Sequence, residues 1–207
     1  MDSTNSPPDI DGDLTLAIET LKNGGVVALP TDTVYCLAAA LDHPEAISRI
    51  FDIKGRQTIK ALPVLVADAD QLRQVAETSP LAELLIQRFM PGGLTIILKR
   101  KKIVPDVVTG GRDSVAVRIP DHALTLGIIS AVGVPLTGTS ANLSGHGSVD
   151  NAYDVLAQLG NKVEMIFNGG RCPGGKESTI VDLTTPFPTI VRDGAVVRAA
   201  LEAYYFK

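Results

Sequence analysis

Apolar positions recur along this chain with two periods, and the change from one to the other marks out the elements. Leu14, Ala17, Ile18 and Leu21 repeat at helical spacing, and Gly24-Gly25 ends that helix. Residues 26–29 form a short continuous apolar run that enters Pro30, which predicts a buried strand. Pro44 suits a first helical turn, with Ile47, Ile50 and Phe51 as the apolar stripe behind it. A strand is expected over 62–67. Asp68 then caps a helix carrying Leu72, Val75 and Ala76, and Ser79-Pro80 opens another with Leu81, Leu84 and Leu85. Strands are expected over 94–98, 115–119 and 134–137, with a helix over 122–131. Asp150 is expected to cap a helix bearing Ala152, Val155, Leu156 and Leu159. Short strands near 163–167, 179–183 and 189–192 and a last helix near 198–205 complete the pattern. Helices and strands interleave throughout, which predicts an α/β fold: one domain over 13–207, a twisted mixed sheet with flanking helices, after a polar leader over 1–12. Strands that follow one another without helices near the C-terminal end require some antiparallel pairing.

Composition narrows the function classes. Apolar residues make up 45% of the 207 and charged residues 20%, enough for a packed core and unlike a disordered chain. Gly, Pro or a charge interrupts every apolar stretch before the 18 residues that a membrane span needs. The first residues lack the basic and apolar regions of a signal peptide. Lys and Arg number 19 against 23 Asp and Glu, a net charge of −4, so any anion site must be a local cluster of cations rather than a general basic surface. Aromatics are only 4%, with no Trp, which argues against a stacking platform for bases. Cys36 and Cys172 belong to no CxxC pair, and His43, His122 and His146 have no metal-ligand spacing; this reads as a cytoplasmic chain with two free thiols and no zinc site.

The candidate chemistry lies in loops at strand ends, where open α/β sheets bind ligands. Gly170 to Lys176 matches GxxxxGK, but Glu177 stands where a P-loop needs Ser or Thr, and the β-branched run after it reads as a strand. A Gly-rich surface turn is expected there. Pro30-Thr31-Asp32-Thr33-Val34-Tyr35 and Thr139-Ser140-Ala141-Asn142 each follow a strand, and either could be a plain turn. Lys54, Arg56 and Lys60 place three cations just past a helix, which alone could be a solvated face. Arg118 is harder to dismiss. It alternates inside an apolar strand, and a half-buried guanidinium needs a carboxylate or phosphate partner. No Ser/His/Asp set and no acid pair stands out.

Taken in order, these segments resemble one family. Pro30 to Tyr35, Lys54-Gly55-Arg56, Pro91-Gly92-Gly93-Leu94-Thr95, Val117-Arg118-Ile119-Pro120, Ser140-Ala141-Asn142-Leu143-Ser144-Gly145, Glu177-Ser178-Thr179-Ile180 and Val191-Arg192-Asp193-Gly194 are similar to the successive signatures of the YrdC/Sua5 family of threonylcarbamoyl-AMP synthases, in its short form with a single YrdC-like domain. The resemblance implies a concave, locally cationic cleft. It also implies a nucleotidyltransferase reaction in which L-threonine, bicarbonate or carbon dioxide, and ATP with Mg2+ give threonylcarbamoyl-AMP and pyrophosphate. The product serves N6-threonylcarbamoyladenosine formation at position 37 of tRNA, through a downstream threonylcarbamoyl transferase complex and with at most a weak tRNA contact by this chain. By the same resemblance Lys54, Arg56, Lys60, Ser114, Ser140, Asn142, Ser148 and Arg192 would bind ATP. Thr33, Arg118, Gly138 and Ser178 would bind L-threonine, with catalysis by positioning through Lys54, Arg56, Ser140 and Asn142 rather than by a side-chain nucleophile, base or protein-held metal. Cys36, Ala61 and Leu65 depart from the family's usual residues. The alternative is a non-catalytic RNA-binding module, or a diverged paralogue, that uses the same cleft.

Overall fold

A computed structural model describes residues 9–55 and 60–205. The chain opens with strand β1 (Asp9–Asp11), inside the segment expected to be leader, and helix α1 (Leu14–Lys22). The Asp13 carboxylate caps α1, accepting from the Thr15 and Leu16 amides at 2.8 and 3.2 Å. Next come β2 (Val27–Leu29), β3 (Cys36–Ala38), α2 (Pro44–Lys54), β4 (Val64–Leu65), α3 (Ala69–Val75) and α4 (Pro80–Phe89). After these stand β5 (Leu94–Lys99), α5 (Asp106–Thr109), β6 (Ser114–Arg118), α6 (Ala123–Val132), β7 (Leu136–Thr137) and β8 (Thr139–Ser140). Helix α7 (Ala152–Leu159), strands β9 (Met165–Phe167), β10 (Thr179–Asp182) and β11 (Thr189–Arg192), and helix α8 (Arg198–Glu202) finish the fold. The cap of α7 lies one residue later than expected. Asn151 accepts from the Asp154 amide at 3.0 Å, while Asp150 turns to the Arg171 guanidinium at 2.9 Å.

The mixed α/β fold is present, but the strands form two mixed sheets rather than one. The five-stranded sheet has the order β1-β9-β2-β3-β8, and the six-stranded sheet β11-β10-β5-β6-β4-β7. The chain crosses between them at Gly138, with an added bridge from Ala40 to Leu136. A Cβ on Gly138 would sit 2.4 Å from Leu65 Cγ, so only glycine lets β7 lead directly into β8 at this point. The expected antiparallel pairing near the C-terminal end is there, between β10 and β11.

Side-chain alternation explains which face of each sheet is core. In the five-stranded sheet, Val27 and Leu29 pack with α1 and α6 residues, while Val26, Ala28 and Leu37 pack in the larger core. Both faces are buried, which is why residues 26–29 read as an unbroken apolar run. The six-stranded sheet differs. Leu94, Ile96, Leu98, Val115, Val117 and Val181 point to the core. The residues that alternate with them (Thr95, Ile97, Ala116, Arg118, Ile180) face a cavity. That period-2 split between core and cavity positions the site.

Candidate active site

The cavity measures about 340 Å³ and lies between the two sheets' loops. Its floor is β5, β6 and β10. The β2–β3 loop supplies Thr31, Thr33 and Val34, the β7–β8 crossing Gly138, Thr139 and Ser140, and the C-terminal hairpin Glu177, Ser178 and Arg192. The β2–β3 loop is a tight hydroxyl-closed turn. Thr31 Oγ1 accepts from the Thr33 and Val34 amides at 3.1 and 3.2 Å and donates to the Val34 carbonyl at 2.7 Å. The single proton on Thr31 is thus spent, so the 2.9 Å contact between the two hydroxyls has Thr33 as donor. Below this turn runs the Gly170 to Lys176 loop. No helix follows it, in accord with the expected turn, yet it is more than a surface feature. Gly175 N donates to the Thr33 carbonyl at 3.1 Å, and a Cβ on Gly174 would stand 2.5 Å from the Asp32 carbonyl oxygen. Lys176 itself is exposed.

Arg118 ends β6 and is buried. Its expected anionic partner comes from within the chain. Nη2 donates to Asp32 Oδ1 at 2.6 Å, Nη1 to Thr33 Oγ1 at 2.8 Å and Nε to the Gly92 carbonyl at 2.8 Å. Burial pulls its pKa down and the Asp32 charge pulls it back up, and a guanidinium stays charged in either case. Three of its five N–H groups are engaged, which leaves one on each terminal nitrogen.

Arg192 ends β11 and also lines the cavity. Nε and Nη2 donate to the Ser178 carbonyl at 3.0 and 2.9 Å, and Nη2 also to Ser178 Oγ at 3.1 Å. Nη1 pairs with Glu177 Oε2. The Ser148 hydroxyl donates to Glu177 Oε1 at 2.7 Å. Burial pushes the Glu177 carboxyl up, but the Ser148 hydroxyl and the Arg192 charge outweigh it and hold the group below its ordinary value.

The structure therefore brings Thr33, Arg118, Gly138, Ser140, Ser178 and Arg192 onto one cavity. Cys36, Ala61 and Leu65 line it as well. Ser114, Asn142, Ser148, Lys54 and Lys60 stand outside that lining. Ser114 opens β6 on the same face as Ala116 and Arg118. Lys54, the last residue of α2, is buried with its ammonium on the carbonyls of Ser140 and, at 2.7 Å, of Asn142, so it ties the helix end to that loop. Lys60 is exposed, and Arg56 lies outside the described residues. Asp32 and Glu177 were not singled out from the sequence, although both sit inside motifs that were. Among the described residues no group of three or more His, Cys, Asp or Glu side chains could hold a metal ion.

A family model described as telomere recombination, covering Sua5, YciO and YrdC, matches residues 19–194. The chain belongs to the Sua5/YciO/YrdC family. Within that family it is 39% identical over 190 residues to the threonylcarbamoyl-AMP synthase of Pyrococcus abyssi and 37% identical over 206 residues to that of Bacillus subtilis. These alignments cover 91% and 97% of this chain but 56% and 57% of the two relatives, so the chain spans little more than half their length. The crystal structure of P. abyssi Sua5 complexed with L-threonine matches with a TM-score of 0.90 at 38% identity, over 92% of this chain and 56% of that one. As a Sua5/YciO/YrdC chain it carries the family's ordered motifs, and two of their arginines are each paired with an acid next in sequence to a motif hydroxyl.

Proposed function

We propose that this chain is an L-threonylcarbamoyladenylate synthase, a nucleotidyltransferase that joins L-threonine, carbon dioxide or bicarbonate and ATP into threonylcarbamoyl-AMP and pyrophosphate. The observation that carries the reading is the convergence of six expected site residues from both sheets, two of them arginines, on one cavity. The sequence similarity to relatives named as that synthase, and the fold similarity to Sua5 complexed with L-threonine, support it.

In this reading the two remaining N–H groups of Arg118 bind the threonine carboxylate as a charge-assisted pair. The Thr33 hydroxyl, already donating to Thr31, accepts from the substrate's amine or hydroxyl, and Ser178 and the Gly138 backbone complete that end. The ATP phosphates lie toward Arg192 and Ser140, with Lys54, Arg56, Lys60, Asn142, Ser148 and Ser114 extending the nucleotide site. Magnesium enters on the phosphates as part of the substrate. The threonine nitrogen bonds to carbon dioxide and loses a proton; a carbamate oxygen attacks the α-phosphorus, and the bond to the β-phosphate oxygen breaks as pyrophosphate leaves. Such a step needs alignment and charge neutralisation, not a protein nucleophile. The free, buried thiols of Cys36 and Cys172 suit a cytoplasmic location. The product would pass to a separate threonylcarbamoyl transferase that modifies tRNA.

The test is mass spectrometry of the product mixture, with pyrophosphate release followed in parallel. Threonylcarbamoyl-AMP should form, and pyrophosphate appear, only when ATP, L-threonine and bicarbonate are all supplied. Equal release without threonine would make the chain a plain nucleotide hydrolase and end the reading.

A further inference from the structure

Arg192 is located by the backbone. Two of its nitrogens grip the Ser178 carbonyl at 2.9 and 3.0 Å, so its position does not depend on any acid. Only Nη1 is directed elsewhere, and there it meets the Glu177 carboxylate. The other oxygen of that carboxylate takes the Ser148 hydroxyl at 2.7 Å, and the Ser140 hydroxyl adds to the same cluster. A guanidinium and hydroxyls around one point form an anion site, and here a carboxylate of the chain itself occupies it. The Glu177 main chain is pinned, since Ala195 N donates to its carbonyl at 2.9 Å. A Cβ on Gly194 would stand 2.4 Å from that same carbonyl oxygen, so the backbone cannot move far. The side chain can: it is about one-third exposed, and Lys176 before it is in open solvent.

We propose that Glu177 competes with the phosphates of ATP for Arg192 and Ser148, so that nucleotide binds by exchange with this carboxylate and Glu177 sets the ATP affinity. The inference rests on the synthase reading for the identity of the anion, and its geometry stands apart from that reading. Every ATP that binds must first release Arg192 from its partner, and a partly exposed ion pair is weak enough to be released. The pair keeps the guanidinium charge-balanced, at the cost of some affinity. Glu177 thus acts through Arg192 with a defined sign: its charge opposes nucleotide binding.

The experiment is Glu177→Gln, with Glu177→Ala as a second variant in case the amide holds the Ser148 hydroxyl too well. ATP binding is measured by titration calorimetry without threonine or bicarbonate, thermal melting checks the fold, and steady-state KM and kcat are measured with all substrates present. ATP should bind on the order of five-fold more tightly to the variants, the size of an exposed ion pair. KM for ATP should fall, and KM for threonine should stay within about two-fold. A purely structural role for Glu177 gives the opposite sign, because a damaged site loses affinity. If the wild type turns over and binds ATP but both folded variants bind it equally or more weakly, the competition is refuted while the synthase reading survives. If neither wild type nor variants bind ATP, both fall.

Discussion

Both cavity-lining arginines are paired with an acid, and the two pairs are built differently. Arg118 and Asp32 have side-chain exposures of 7% and 15%, whereas Arg192 and Glu177 have 38% and 32%. Arg118 leaves a central strand, and its acid sits in a turn closed by hydroxyls and braced from below by the Gly174 approach. Arg192 ends an edge strand, and its acid has an open loop before it. A buried pair is costly to break from one side, because the abandoned charge stays in a poor solvent. An exposed pair can exchange partners at little cost. In the proposed reading the labour is divided: the charge of Arg118 is fixed and presents spare donors to a ligand, while that of Arg192 is shared between a chain carboxylate and a ligand.

The largest effect that tests this contrast is on stability. Arg118→Ala should lower the unfolding free energy by about 3 kcal/mol or more, since Asp32 then keeps only the Asp121 amide at 2.9 Å. Glu177→Gln, which removes the exposed pair and leaves Arg192 on the Ser178 carbonyl, should cost under about 1 kcal/mol. Urea denaturation of both variants checks this, and equal losses would erase the distinction.

Much of the frame was legible before the structure, and what was not has a physical cause. The unbroken apolar run at 26–29 and the Arg set among valines at 118 are strong local signals, and both led to the right element. Strands β3 and β8 were hidden, because Cys36–Ala38 and Thr139–Ser140 are short, lie against loop motifs and carry small or polar residues. The need for an anion at Arg118 followed from the strand pattern. Its identity did not, because Asp32 arrives from a turn 86 residues away. Glu177 was read only as the residue that spoils a P-loop; its meeting with Arg192 depends on the β10–β11 hairpin, whose register a single sequence does not specify.

A smaller effect separates the two pairs by pH. Glu177 has its pKa lowered on folding, so its pair contributes stability above the ordinary carboxylate value of 4.5 and loses it as pH falls through the depressed folded value. The stability difference between the wild type and Glu177→Gln should therefore be present at neutral pH and vanish in acid. A difference that grows on acidification would contradict the assigned direction.

The smallest effect concerns the thiols near the buried pair. Burial pushes Cys36 up to about 12 and Cys172 up to about 11. At pH near 8 the thiolate fraction is then on the order of one in a thousand or less, and neither should react with Ellman's reagent until the protein unfolds. Rapid native-state labelling of Cys36 would mean that the Arg118 pair is as open as the other.

The central claim is that one cavity holds an amino-acid carboxylate at Arg118 and a nucleotide phosphate at Arg192. Titration calorimetry of L-threonine and ATP against Arg118→Lys and Arg192→Ala tests it most directly, because lysine keeps the charge but loses the forked donors. The account predicts a crossed result. Arg118→Lys should lose about ten-fold or more in threonine affinity with ATP affinity nearly intact, and Arg192→Ala should lose about as much for ATP and clearly less for threonine, which it touches only through Ser178. Parallel losses of both ligands in both variants, or threonine affinity untouched by Arg118→Lys, would contradict it.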